Sequence, residues 1–192
     1  MSEKKRAVTA SPIYGQPSSE LTPLDIVPEK IPFDVPYGPP ISLERAQAVI
    51  NTAVADAKKR DWKMNVTVVD SGGNLVAFQR MDGAMLASIQ IAEHKARAAA
   101  TFRRETKVFE NVIQVNNLNY LMTLDGIVAS RGGIPLIEDG KLIGAIGCSG
   151  GTDSQDQVVC RAGAQSLNSA GDIAIGHVAG AILVRENRLW RN

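Results

Sequence analysis

Cysteine and histidine are scarce: the 192 residues contain two of each, Cys148 and Cys160, His94 and His177. Two cysteines, one in an apolar run and one in the pattern that follows it, build no disulfide framework and read as buried structural thiols in a reducing compartment. No His/Cys/Asp spacing meets the needs of a structural zinc site, so no metal is expected. Aromatic residues make up 5% of the chain and the formal net charge is +1. Stacking platforms and a one-signed field are therefore both missing, which sets aside nucleic acid and acidic membrane surfaces as partners. There is no apolar run of the ~18 residues that a membrane span requires. The first twenty residues are charged, then small and broken by proline, with no apolar core of a secretory signal, so a cytoplasmic location is expected. Neither a phosphate-binding Gly-Lys-Ser/Thr loop nor a Gly-x-Gly-x-x-Gly fingerprint occurs.

What is present is ordinary globular material, 44% apolar and 21% charged, enough for one domain with a real core. Eight of the nine prolines fall in residues 1–40. Proline fixes φ and removes a donor, so this stretch is expected as an extended arm, and its apolar residues, among them Phe33, Val35 and Tyr37, are expected to lie on the domain or on a neighbouring copy. Ser42 is placed to cap a helix from Leu43 to about Arg60 with one apolar face. Asn65–Asp70 and Leu75–Arg80, joined by Ser71-Gly72-Gly73-Asn74, read as a hairpin, and an alanine-dense helix follows over about Leu86–Phe102. Thr106 is placed to cap a shorter helix with Val108, Phe109, Val112 and Ile113 inward, interrupted at Asn116–Asn119. Ile134–Glu138 and Lys141–Ser149 flank Asp139-Gly140, a strong hairpin signal. A last helix runs to about Ala170, and residues 171–192 form a tail of undecided structure. Strands paired by hairpins make the sheet largely antiparallel, an α/β or α+β architecture with helices on its faces.

The most informative stretch is LIGAIGCSGGTDSQD, Leu142–Asp156. It reads as a buried strand, a turn at Gly150-Gly151 and a helix start at Thr152, Asp153 and Ser154. Amides at such a start favour negative charge, so an anion is expected to dock there, with satisfaction by Asp153 or Ser154 as the competing outcome. Gly147, Ser149 and Gly151 also match a Gly-x-Ser-x-Gly elbow, but the parallel sheet and the ordered acid and histidine of that motif are not evident.

On VVDSGGNLVAFQRMDGA (Val68–Ala84), SIQIAEHKARAAATFRRET (Ser88–Thr106) and GGIPLIEDGKLIGAIGCSGGTDSQD (Gly132–Asp156), the chain resembles the GlcG/HbpS family, the DUF336 group related to the C-terminal domain of PduO-type proteins. The resemblance covers about residues 41–168 and lies within a domain assigned here to 41–170. It implies a profilin-like antiparallel sheet flanked by helices on both faces, assembly into homo-oligomers such as octamers, a catabolic setting, and haem as a ligand of some members. One group of relatives ligates haem through a histidine in the first helix; Leu43–Arg60 contains none.

Candidate site residues follow from charge and placement. Lys95, which matches the lysine of the family's KA-x-x-A motif, either contacts a bound carboxylate or closes a salt bridge with Asp70, Asp82 or Asp156, the better reading for a buried lysine. Arg80, Asp82 and Arg131 are expected to converge with Lys95 on Gly150, Gly151 and Thr152 as a site for a small anionic or planar ligand. An alternative makes the chain a lyase, isomerase or hydratase of small carboxylates without an organic cofactor, with Glu93 or His94 carrying the proton. A third possibility is a purely structural scaffold.

Overall fold

Helix α1 (Leu43–Lys59) begins where its cap is written: Ser42 is extended and its Oγ accepts from the Arg45 amide at 3.4 Å. Its recurring apolar positions, Ala46, Val49, Ile50, Ala53, Val54 and Ala57, are all buried. The computed structural model describes residues 27–168, and within them α1 is followed by β1 (Asn65–Asp70), β2 (Leu75–Arg80), α2 (Ser88–Thr101), α3 (Thr106–Gln114), a 3₁₀ turn (Asn119–Thr123), β3 (Gly133–Glu138), β4 (Lys141–Ser149) and α4 (Asp153–Asn168). The unit that begins at Phe33 carries all of these elements. The first twenty-six residues of the expected arm, and the expected tail at 171–192, lie outside the described residues.

Both hairpins form. In the first, the Asp70 carboxylate accepts from the amides of Gly72 at 2.8 Å and Asn74 at 2.9 Å, and these bonds outweigh partial burial to hold its pKa below the usual carboxylate value. In the second, Asp139 and Gly140 both take positive φ, the type I′ geometry that an Asp-Gly pair favours. The four strands are antiparallel in the order β2-β1-β4-β3. Asp70 pairs with Gly144 at the end of β1, and beyond it the chain at Pro36–Gly38 takes β1's place beside Leu142.

Two separate apolar clusters mark the two faces. On one, α1 and α4 pack on Val66, Val68, Ile134, Leu136, Ile146 and Cys148. On the other, the alanines of α2 pack on Val69, Leu142 and Ala145. This is the α+β arrangement expected, an antiparallel sheet with helices on both faces. The third helix differs from expectation: Glu105, not Thr106, stands at its N-cap, the Thr106 hydroxyl accepts instead from the Gly133 amide at 3.0 Å, and Phe109 is buried whereas Val108, Val112 and Ile113 are only half-buried.

Candidate functional site

The glycines of β4 decide what reaches the end of the sheet. A Cβ on Gly147 would collide with the carbonyl of Ala92 and stand 2.6 Å from the Ala96 amide, and one on its register partner Gly133 would collide with the carbonyl of Lys95. Bare backbone at both positions lets α2 lie directly on the sheet, which brings the Lys95 side chain down beside the start of α4.

Lys95 is 1% exposed, and its Nζ donates to Asp156 Oδ2 at 2.7 Å and lies 4.0 Å from Asp153 Oδ1. The other Asp156 oxygen, Oδ1, accepts from the Gly151 amide at 3.0 Å. The Thr152 amide donates to Gln155 Oε1 at 2.8 Å and the Gln155 amide to Thr152 Oγ1 at 3.3 Å, a reciprocal cap on α4. Asp153 is held in turn by the hydroxyl of Ser130, at 2.7 Å.

Around this pair the chain before β3 is tied down residue by residue. Arg131 grips Glu110 through its backbone amide and Nε at 2.9 Å and through Nη2 at 2.5 Å. The Gly132 amide donates to Gln157 Oε1 at 2.9 Å, and Gln157 passes the chain on to Glu105 at 2.8 Å. The Gly132 carbonyl accepts from the Cys160 thiol at 3.0 Å. Burial raises the pKa of Asp156 above the usual carboxylate value, against the pull of Lys95. Hydrogen bonding from Arg131 lowers that of Glu110. Burial, with the neighbouring Cys160, pushes the Cys148 thiol well up, and both cysteines are free and buried.

The expected open receptacle is therefore corrected in two respects. The Gly151 and Thr152 amides are covered by Asp156 and Gln155, and Lys95 and Arg131 are neutralised by Asp156 and Glu110. Nor do the three cations converge. Arg80 ends β2 on one edge of the sheet and Arg131 leads into β3 on the other, so three strand spacings, about 14 Å of backbone, separate them. Arg80 and Asp82 are both exposed. Gly150 serves close packing, since a Cβ there would collide with the Lys63 carbonyl. Ser149, in the elbow-like stretch, is 4% exposed; Asp156 is held by Lys95, and His177 lies outside the described residues.

The capping box Thr152-x-x-Gln155 was readable as a pattern, and it would have predicted the loss of the open amides. Glu110, Glu105 and Gln157 carried no local signal, because each meets its partner across twenty or more residues.

Glu93 and His94 lie elsewhere, on α2 away from the turn. Glu93 is half-buried and His94 exposed. Gln90, Ile91, His94 and Arg97 are exposed at three- and four-residue spacing along one helix, and Ile91 is 38% exposed. Arg97 Nε donates to the Gly73 carbonyl at 3.3 Å. His94 makes no hydrogen bond or ion pair with another described residue. No group of three or more potential metal ligands occurs among the described residues.

Residues 41–165 match the family model described as haem degrading protein HbpS-like. Protein GlcG of Escherichia coli K12 is 38% identical over 109 residues, which covers 57% of this chain and 81% of that protein. A crystal structure of Klebsiella pneumoniae protein ORFY superposes with a TM-score of 0.65 at 29% identity, over 77% of this chain and 99% of that one. A crystal structure titled as a PduOC–haem complex superposes with a TM-score of 0.61 at 27% identity, over 67% of this chain and 96% of that one.

Proposed function

The chain belongs to the HbpS-like family, and from that premise we propose that it binds a planar anionic ligand of the haem type on the outer face of α2. A related fold crystallised with haem makes that ligand class the first to test. The observation that carries the reading is the position of His94: its ring is exposed and without a partner among the described residues, with Ile91 three residues before it and Arg97 three residues after. An imidazole is a common ligand for haem iron, an apolar neighbour suits the macrocycle, and a cation suits its carboxylates. The residues present therefore fit the group. Bound haem would supply an iron centre, and the chain's part is to hold and orient it.

This moves the ligand away from the Gly150-Gly151 turn, where the Gly151 and Thr152 amides are taken by Asp156 and Gln155. The alternative of a cofactor-independent lyase, isomerase or hydratase has Glu93 or His94 as its proton carrier and needs a cation beside it to anchor the carboxylate, and Lys95 on the same helix is already closed off by Asp156. We also infer that the protein is a homo-oligomer, a reading supported by Met85, Leu86 and Met122, which are 53%, 68% and 67% exposed.

Titration of the full chain with haemin, followed in the Soret region, tests the proposal. A saturable band that His94→Ala weakens at least about tenfold is expected, and binding unchanged by that substitution sinks it. Native mass spectrometry of the same sample reads subunit number and retained ligand together; a bare monomer would overturn the oligomer.

A further inference from the structure

Under the first turn of α2, three polar side chains are closed off from solvent without a partner: Asn65 through Oδ1, Thr67 through Oγ1 and Ser88 through Oγ. All three residues are 0% exposed. They belong to one neighbourhood. Asn65 and Thr67 are alternate residues of β1, so they share a face, and Thr67 pairs with Gly147, the residue on which α2 lies. The Asn65 amide nitrogen donates to the Met85 carbonyl at 3.0 Å, and the Ser88 amide donates to that same carbonyl at 3.2 Å. Asn65 and Ser88 thus hang on one atom. The helix adds its own demand: Ala87 stands at the N-cap with no side-chain cap, and the first turn holds no acidic residue.

Buried polar groups are rarely left unpaired, because their desolvation is then uncompensated. The chemistry of these three atoms selects the guest. Asn65 Oδ1 only accepts, so a bare anion cannot serve it, whereas the hydroxyls of Thr67 and Ser88 both donate and accept. A cation is disfavoured by the positive end of α2 and by the lack of any carboxylate among the three. What remains is a small neutral molecule that is donor and acceptor at once. We propose that Asn65, Thr67 and Ser88 form a site for an ordered water that keys the start of α2 to β1. A buried water typically makes about three hydrogen bonds, which matches the number of groups to be satisfied. The site is distinct from the ion pair at Lys95 and from the outer face carrying His94.

Thr67→Val tests this, because it removes the hydroxyl at nearly constant volume. Loss of a water-mediated bond is expected to lower the melting temperature by about 2–4 °C. A dry, unpaired hydroxyl predicts the reverse: the variant would then melt at the same temperature or higher, which overturns the proposal. A crystal structure of the full-length wild type at about 1.5 Å gives the second reading. A water peak within hydrogen-bonding reach of at least two of the three oxygens is expected; a dry site, or an ion in its place, overturns it.

Discussion

Helix α2 is fastened to the rest of the domain at two places by opposite means. In its middle, Lys95 is sealed into a closed ion pair with Asp156, both nearly inaccessible. Past its C-terminus, Arg103 and Arg104 hold the chain at Phe33–Tyr37 from outside. Arg104 stacks 3.8 Å from the Phe33 ring centroid, Arg103 lies over Tyr37 at 5.5 Å and donates to the Val35 carbonyl at 3.0 Å, and Tyr37 in turn donates to the Thr101 carbonyl at 2.7 Å. A charge sealed in protein must keep its partner or lose several kcal/mol, whereas a cation over a ring near the surface, half-buried at Phe33 and exposed at Tyr37, contributes a fraction of that. Similar positive residues thus do different work according to what surrounds them.

Substitution at the sealed ion pair should have the largest effect. Lys95→Met leaves Asp156 buried without its counter-ion and is expected to cost about 3–5 kcal/mol in denaturant unfolding. The double variant with Asp156→Leu should recover most of that loss. If the double variant is as unstable as the single one, the cost came from packing and the comparison fails.

The pair at Arg131 and Glu110 is intermediate, with side chains 24% and 14% exposed, and it sets an acid limit. Glu110 has its pKa lowered from the ordinary 4.5 by hydrogen bonding from Arg131, so its contribution is present above 4.5 and is lost as pH falls through the depressed value. Asp156 has the opposite sign: its raised pKa favours folding below 3.8, and that contribution is lost as pH rises through the folded value. Unfolding curves of Glu110→Gln should therefore lose part of their acid dependence below pH 4.5. A slope identical to wild type would show that the pair contributes nothing there.

The smallest change belongs to the outer strap. Arg104→Ala should cost about 0.5–1 kcal/mol and raise proteolytic susceptibility around Phe33. A loss as large as that of Lys95→Met would erase the distinction between the two attachments.

Legibility in the sequence follows the range of the interaction. Ser42 before α1, Asp139-Gly140 between β3 and β4, and the alanines of α2 act through their own neighbours, and each appears where it was expected. Gly147 entered only as part of an elbow-like pattern and Gly133 only within a longer motif, yet they are there because α2 crosses them, which is a matter of packing. Asn65, Thr67 and Ser88 gave no signal at all. Polar residues in a strand and at a helix start are ordinary until a second element closes over them.

The sequence by itself determined the local pieces: caps, hairpin turns, apolar faces, and a strand, glycine turn and helix at residues 142–156. Local hydrogen bonding and side-chain periodicity are written within a few residues of where they act. Only the tertiary structure decided that, of Asp70, Asp82 and Asp156, it is Asp156, sixty-one residues away, that closes the expected salt bridge with Lys95, and that Arg80 and Arg131 stand on opposite edges of the sheet. Which charges meet depends on strand order and on how closely a helix lies on a sheet, and neither is encoded by spacing along the chain.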